Sequence, residues 1–165
     1  MTAGRAFVFG DNIDTDVLAP GQWMKLDAPG LARHCLEAVD PDFAGSVRPG
    51  DIVVAGRNFG LGSSREQAAV SLKLLGVSAV LAVSFARIFY RNAINLGLPV
   101  LIFPDAGKIR AGDQLCVDAG AGRVDNLSQV WSREMTRMPP HLVAMIECGG
   151  LIPHLKRRFA ADAGA

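Results

Sequence analysis

The sequence predicts an α/β fold with a βαβαβ core and a β-rich appendage, on three observations. Short apolar runs at Ile52–Ala55, Val77–Val83 and Pro99–Phe103 have strand length and alternate with segments of helical spacing. That alternation indicates parallel strands joined by right-handed crossovers. A glycine-rich turn, GRNFGLG, separates the first of these strands from the helix after it. Beyond PDAGK the texture changes to two strand-like segments, 108–117 and 122–127, joined by DAGAG in the manner of a hairpin.

The totals suit one domain over residues 1–165. The chain has 165 residues, half of them apolar and 20% charged, which is a globular balance long enough for a real core. A net charge of +1 points to neither nucleic acid nor an anionic membrane surface. The longest apolar runs are too short to span a bilayer, and the N-terminus MTAGRAFVFGD lacks the apolar stretch of a secretory signal. A cytoplasmic location is the expectation. Cys35, Cys116 and Cys148 lie far apart without a CxxC pair, so they read as ordinary reduced thiols rather than a self-contained metal site.

In chain order, Arg5–Phe9 reads as a strand ending in the acidic loop GDNIDTD. The prolines and glycines of VLAPGQWMKLDAPG argue for an irregular connection. Leu31, Cys35 and Val39 are four apart, which predicts a helix over Leu31–Val39 before RPGD turns into the strand at Ile52–Ala55. A helix over Arg65–Leu75 follows, stopped by Gly76, and a second spans Phe85–Asn95. Pro139–Cys148 reads as a helix with proline in its first turn, closed by Gly149–Gly150. The tail KRRFAADAGA is expected to fray.

Three segments could do chemistry. In GRNFGLGSSREQ, a helix starting near Ser63–Ser64 would present unpaired N–H groups to an anion, and Arg65 would add a planar fork for a carboxylate or phosphate. The same residues also fit a helix cap, with Glu66 or Gln67 closing a capping box. A Walker loop fails because Ser63, not lysine, follows Gly62, and the dinucleotide fingerprint fails because Arg65 stands where its last glycine belongs. In GDNIDTD, the alternating Asp11, Asp14 and Asp16 could serve as acids and bases or bond their own turn, and the loop lacks the downstream glutamate of an EF-hand. In SFARIFYRNAINLGLP, Arg87 and Arg91 share a helical face near Asn92 and Asn95, as carboxylate ligands or as a solvated surface. His34, His141 and His154 have no HxxxH spacing and read as surface or internally satisfied histidines.

Taken together, GDNIDTDVLAP, GRNFGLGSSREQA and SFARIFYRNAINLGLP closely resemble the small subunit of the isopropylmalate isomerase/homoaconitase group, over about Phe7 to Phe103. That subunit is similar to the swivelling β/β/α domain of aconitase. The resemblance implies a hydro-lyase moving a hydroxyl between adjacent carbons of a 2-hydroxy acid through an alkene. It also implies a separate large subunit bearing a [4Fe–4S] cluster, in a heterodimer or heterotetramer, with no cofactor on this chain. Ser63 matches the base that removes the Cα proton, Arg65 the grip on a substrate carboxylate with Ser64 assisting, and Asp16 an acidic active-site residue supported by Asp14.

The family sets substrate choice in the loop after DTD, here Trp23-Met24-Lys25-Leu26. This stretch looks closer to aconitase's WLK segment, but Asp27 stands where aconitase has a further substrate-binding arginine. Lys25 could meet a distal carboxylate, or point to solvent while Trp23, Met24 and Leu26 line an apolar pocket. The apolar reading implies a branched malate, 3-isopropylmalate of leucine biosynthesis; a homoaconitase or another alkylmalate dehydratase is the near alternative. From a different class, a stand-alone carboxylate-binding regulatory module would use the same turn.

Overall fold

The computed structural model describes residues 1–162. Apolar segments of four residues form its centre: β2 (Ile52–Ala55) and β3 (Ala79–Ala82) are buried at every position. Continuous burial of this kind is what strands covered on both faces require. β1 (Thr2–Val8) lies parallel to β2, with Ala6 opposite Ile52 and Val8 opposite Val54. β4 (Val100–Ile102) completes the parallel half on the other side of β3.

β1 is the seam between two kinds of sheet. Its last three residues pair with β2, whereas Thr2 to Arg5 pair antiparallel with β5 (Gln114–Asp118). β6 (Arg123–Asn126) and β7 (Trp131–Glu134) extend the antiparallel side. The whole is a seven-stranded sheet in the order β4-β3-β2-β1-β5-β6-β7. The α/β class, the parallel core and the hairpin across DAGAG agree with the sequence, although the strand expected from Lys108 begins only at Gln114. The fourth parallel strand is β1 itself, and β7 had no sequence signal: Trp131 is half-buried and the next three residues are exposed, so no alternation marks it.

The crossovers are short. α1 (Thr15–Leu18), α2 (Ala28–Ala32) and α3 (Phe43–Ser46) lie between β1 and β2, α4 (Gln67–Leu74) follows β2, and α5 (Arg87–Asn95) follows β3. Phe43 packs edge-on against Phe7 and Phe9, with ring centroids 5.1 and 5.6 Å away, while Phe59 makes the same contact with Phe89 at 5.2 Å. The helix expected over Leu31–Val39 is not continuous. α2 ends at Ala32, and Leu36 takes a positive φ of 63° as its N–H bonds the Val17 carbonyl at 2.9 Å, a tertiary bond that breaks the helical run. The connection 17–30, expected to be irregular, contains the end of α1, a 3₁₀ turn at Gly21–Trp23 and the start of α2.

Two further corrections concern ends. The helix expected over Arg65–Leu75 starts at Gln67, with consequences for the site described below. α6 (Pro140–Glu147) forms as expected, but Gly149 and Gly150 only interrupt it. α7 (Leu151–Asp162) takes in most of the tail expected to fray, and residues 163–165 of that tail lie outside the described residues. Among the described residues no helix is long and apolar enough to cross a membrane.

Candidate functional site at the carboxyl ends of the parallel strands

The loops that leave β1, β2 and β3 all emerge at the carboxyl edge of the parallel sheet, where α/β folds bind ligands. They are stitched to one another by backbone bonds. Gly56 N–H reaches the Gly10 carbonyl at 3.1 Å, Asn12 N–H the Arg57 carbonyl at 2.7 Å, Gly60 N–H the Ile13 carbonyl at 2.7 Å and Thr15 N–H the Leu61 carbonyl at 2.8 Å. The third loop joins through Phe59, whose N–H donates to the Ser84 carbonyl at 3.0 Å. GDNIDTD and GRNFGLGSS therefore run side by side, and residues 48 positions apart become neighbours.

Two glycines permit this. Gly60 has φ of +78°, and a Cβ there would sit 2.2 Å from Phe89 Cγ, so a side chain would displace the ring that anchors α5. Gly62 has φ of +110°, and a Cβ there would fall 2.9 Å from Thr15 Oγ1. The chain turns at Gly62 and delivers Ser63 to the start of α1. Ser63 N–H donates to Thr15 Oγ1 at 3.1 Å, and the two hydroxyl oxygens are 3.2 Å apart.

This overturns both helix-terminus readings of the serines. α4 begins at Gln67 with Glu66 at its cap position, and no side chain caps it. Ser63 and Ser64 precede the helix, their position set by Thr15 rather than by helical N–H groups. No capping box forms.

The aspartates divide by task. Asp11 Oδ1 accepts from Arg57 N–H at 2.6 Å, and Asp14 Oδ1 from Val17 N–H at 2.8 Å as the N-cap of α1, so both hold turns. Asp16 instead pairs with Arg65, whose Nη1 also donates to the Ala19 carbonyl at 3.1 Å. The carboxylate is 68% exposed and the guanidinium 28%, so the pair sits at the surface with a wall behind the arginine. Gly21 lies against them: a Cβ there would be 3.5 Å from Asp16 Oδ1 and 3.7 Å from Arg65 Nη2. Ser63, Ser64, Arg65 and Asp16 are thus brought together on one open face.

The loop 23–26 is placed differently. Trp23 stacks on His34 with ring centroids 4.1 Å apart, and its Nε1–H donates to Glu37 Oε1 at 2.8 Å. His34 Nδ1 lies 2.6 Å from Glu37 Oε2, so one carboxylate holds both rings. The His34 hydrogen bond holds Glu37 below the usual carboxylate range despite some desolvation, with further help from Trp23. Met24 is half-buried, Lys25 and Leu26 are exposed, and Asp27 caps α2 through Gly30 N–H at 2.9 Å. The indole edge of Trp23 is therefore spent inside the protein. In the third motif Arg87 and Arg91 are exposed, while Asn92 reaches the Ser64 carbonyl at 3.4 Å and braces the serine loop from α5. Glu37 had no signal in sequence, whereas His34 is one of the histidines expected to be satisfied internally and Asn92 lies in the third motif as a neighbour of the arginine pair. Thr15 was hidden between two aspartates that draw the eye.

No group of three His, Cys, Asp or Glu side chains among the described residues is arranged to hold a metal. Cys35 is fully buried and desolvation pushes its thiol far up, while Cys116 lies on β5 and Cys148 closes α6, all three as free thiols. These residues do not fit an iron–sulfur cluster.

Comparison with known proteins gives the family of the chain. Residues 33–106 match the aconitase C-terminal domain family. The chain is 50% identical over 157 residues to a 3-isopropylmalate dehydratase small subunit of Moorella thermoacetica, covering 94% of this chain and 95% of that one. It is 48% identical over 154 residues to a methanogen homoaconitase small subunit of Methanothermobacter thermautotrophicus, covering 92% and 88%. The crystal structure of 3-isopropylmalate dehydratase from Methanocaldococcus jannaschii superposes with a TM-score of 0.93 at 39% identity, covering 99% of this chain and 98% of that one. Fold and sequence thus converge, and the chain belongs to the aconitase-related family of 3-isopropylmalate dehydratase and homoaconitase small subunits.

Proposed function

We propose that this chain is the small subunit of a hydro-lyase interconverting 2- and 3-isopropylmalate, one swivel-type domain that supplies the base and the carboxylate grip. The observation that carries the reading is the convergence of Ser63, Arg65 and Asp16 on one open face at the carboxyl edge of the sheet. The half-open geometry supports a site completed by a second polypeptide. That polypeptide is the large subunit, in a heterodimer or heterotetramer, working in the cytoplasm.

Each residue then has a task. Arg65 is held along one side by Asp16 and the Ala19 carbonyl, which leaves its other side for a substrate carboxylate. Ser64, exposed beside it, adds a hydroxyl donor. Ser63 Oγ, entering as the alkoxide, takes the proton from the carbon next to the hydroxyl-bearing one, and that C–H electron pair becomes the second bond of the alkene. A [4Fe–4S] cluster held by the large subunit would supply the Lewis-acid chemistry that makes the hydroxyl a leaving group. Hydration in the opposite sense returns the proton from Ser63 Oγ to the other carbon, so Ser63 ends as it began. Asp16 acts by fixing Arg65 beside this step.

Substrate choice follows from the loop after α1. Met24 and the 43%-exposed Leu26 offer apolar surface, Trp23 is their anchor, and Lys25 stands in solvent, an arrangement that favours an alkyl substituent over a third carboxylate. The second reading, a homoaconitase, is favoured by the 48% identity to the methanogen subunit and by Lys25, a cation free to turn toward a distal carboxylate.

Co-expression with a cluster-bearing large subunit, anaerobic reconstitution and a panel of 2-hydroxy acids followed by alkene absorbance tests both. Turnover of isopropylmalate is expected; preference for homocitrate supports the second reading. Tight carboxylate binding by this chain alone, with no turnover in any assembly, would instead assign it as a regulatory module.

A further inference from the structure

We propose that Thr15 is a positioning residue for the base: its hydroxyl donates a hydrogen bond to Ser63 Oγ and stabilises the serine in its deprotonated form. The inference rests on the reading of Ser63 as the base.

The argument is one of hydrogen-bond inventory. Thr15 is 3% exposed, so its hydroxyl is withdrawn from bulk solvent. A hydroxyl has one proton to give and two lone pairs to receive with. Thr15 Oγ1 already accepts from Ser63 N–H at 3.1 Å, which occupies one lone pair. Ser63 Oγ, at 3.2 Å, is the other partner of Thr15 Oγ1 among the described residues. If Ser63 donated, the buried Thr15 proton would lack an acceptor, a cost of roughly 1–3 kcal/mol. With Thr15 donating, every polar atom is satisfied and Ser63 Oγ receives.

That direction suits an oxyanion. A serine hydroxyl is a poor base until its conjugate alkoxide is stabilised, and a fixed donor aimed at the oxygen supplies such stabilisation without reorganisation. Thr15 is fixed from three sides. Its N–H donates to the Leu61 carbonyl at 2.8 Å, it opens α1 behind the Asp14 cap, and Gly62 leaves room for its Oγ1, which a Cβ there would approach to 2.9 Å. The hydroxyl is buried behind Ser63, whereas Ser63, Arg65 and Asp16 form the open face; it therefore acts through Ser63 and does not touch substrate.

The test uses the chain assembled with its large subunit and loaded with cluster, with isopropylmalate as the probe. Thr15→Val keeps the shape and removes the hydroxyl; kcat is expected to fall ~10²-fold, with KM within about twofold, as for loss of one oxyanion donor. Thr15→Ser keeps the hydroxyl and is expected to restore kcat to within a few-fold of wild type. Thr15→Ala replaces the valine variant if that variant does not assemble. Wild-type kcat in Thr15→Val, an equal loss in Thr15→Ser, a change confined to KM, or failure of both hydroxyl-free variants to assemble would each overturn the proposal. Ser63→Ala is measured alongside: full turnover there overturns the reading of Ser63 itself, whereas an inactive Ser63→Ala beside an unaffected Thr15→Val overturns the Thr15 role alone.

Discussion

The two ends of the sheet treat polar side chains in opposite ways. In the antiparallel appendage, Asp113 is 7% exposed and its Oδ2 accepts from Arg110 N–H at 2.8 Å, from Asn126 Nδ2 at 2.6 Å and from Gln129. Desolvation alone would raise the Asp113 pKa, but these donors outweigh it and hold the carboxyl low. At the carboxyl edge of the parallel half, Ser63, Ser64 and Asp16 remain exposed, and Arg65 is tied along one side only. Polar groups satisfied internally stabilise a fold. Groups held in place but left open are available for a ligand.

Variants at the two ends should therefore separate stability from activity. The largest expected effect is at Ser63. Ser63→Ala in the assembled enzyme should lower kcat by ~10²–10⁴-fold, while the chain stays folded at a cost of about 1–3 kcal/mol for the Thr15 hydroxyl that loses its acceptor. A fall in kcat no larger than that of an appendage variant would erase the distinction. Next, Arg65→Lys loses the planar fork and should cost about 10–100-fold in kcat/KM, checked by steady-state kinetics across an isopropylmalate series. The appendage should behave in reverse. Asp113→Ala leaves the buried Asn126 amide without its partner and should destabilise by about 1–3 kcal/mol, read by denaturant titration, with kcat of the folded fraction unaltered.

The smallest effect is expected at the specificity loop. Glu37 titrates below its ordinary range because it bonds His34 and Trp23. A carboxylate with a depressed folded value contributes stability above its unfolded pKa and loses it as pH falls through the folded value. Trp23 fluorescence should therefore change only once the pH falls below the ordinary glutamate range, and Glu37→Gln should flatten that transition. An unchanged acid transition in Glu37→Gln would remove Glu37 from the clamp.

The same contrast explains what could be read from sequence. Ile52–Ala55 was legible to the residue because a fully buried strand is an uninterrupted apolar run. β7 was not, because three of its four residues face solvent and its place is set by pairing with β6. Leu31–Val39 carries helical spacing that a tertiary bond from Leu36 to Val17 overrides. In the site, the charged and hydroxyl residues of the three motifs announced themselves. Their partners did not: Thr15 and Glu37 act through contacts 48 and 14 residues away, and Asn92, noticed only beside Arg87 and Arg91, reaches the serine loop 28 residues away, which no local pattern encodes. The start of α4 was misplaced for the same reason, since the bond from Ser63 to Thr15 keeps the serines out of the helix.

The central claim is that this chain contributes an open half-site whose base is Ser63. It is tested most directly by titrating wild-type and Ser63→Ala chains together against a fixed amount of cluster-loaded large subunit, with alkene absorbance as the readout. The account predicts no alkene from the chain alone, saturating activity with wild type, and activity that falls in proportion to the Ser63→Ala fraction while the complex persists. Full activity from Ser63→Ala assemblies, or turnover by this chain without a partner, would contradict it.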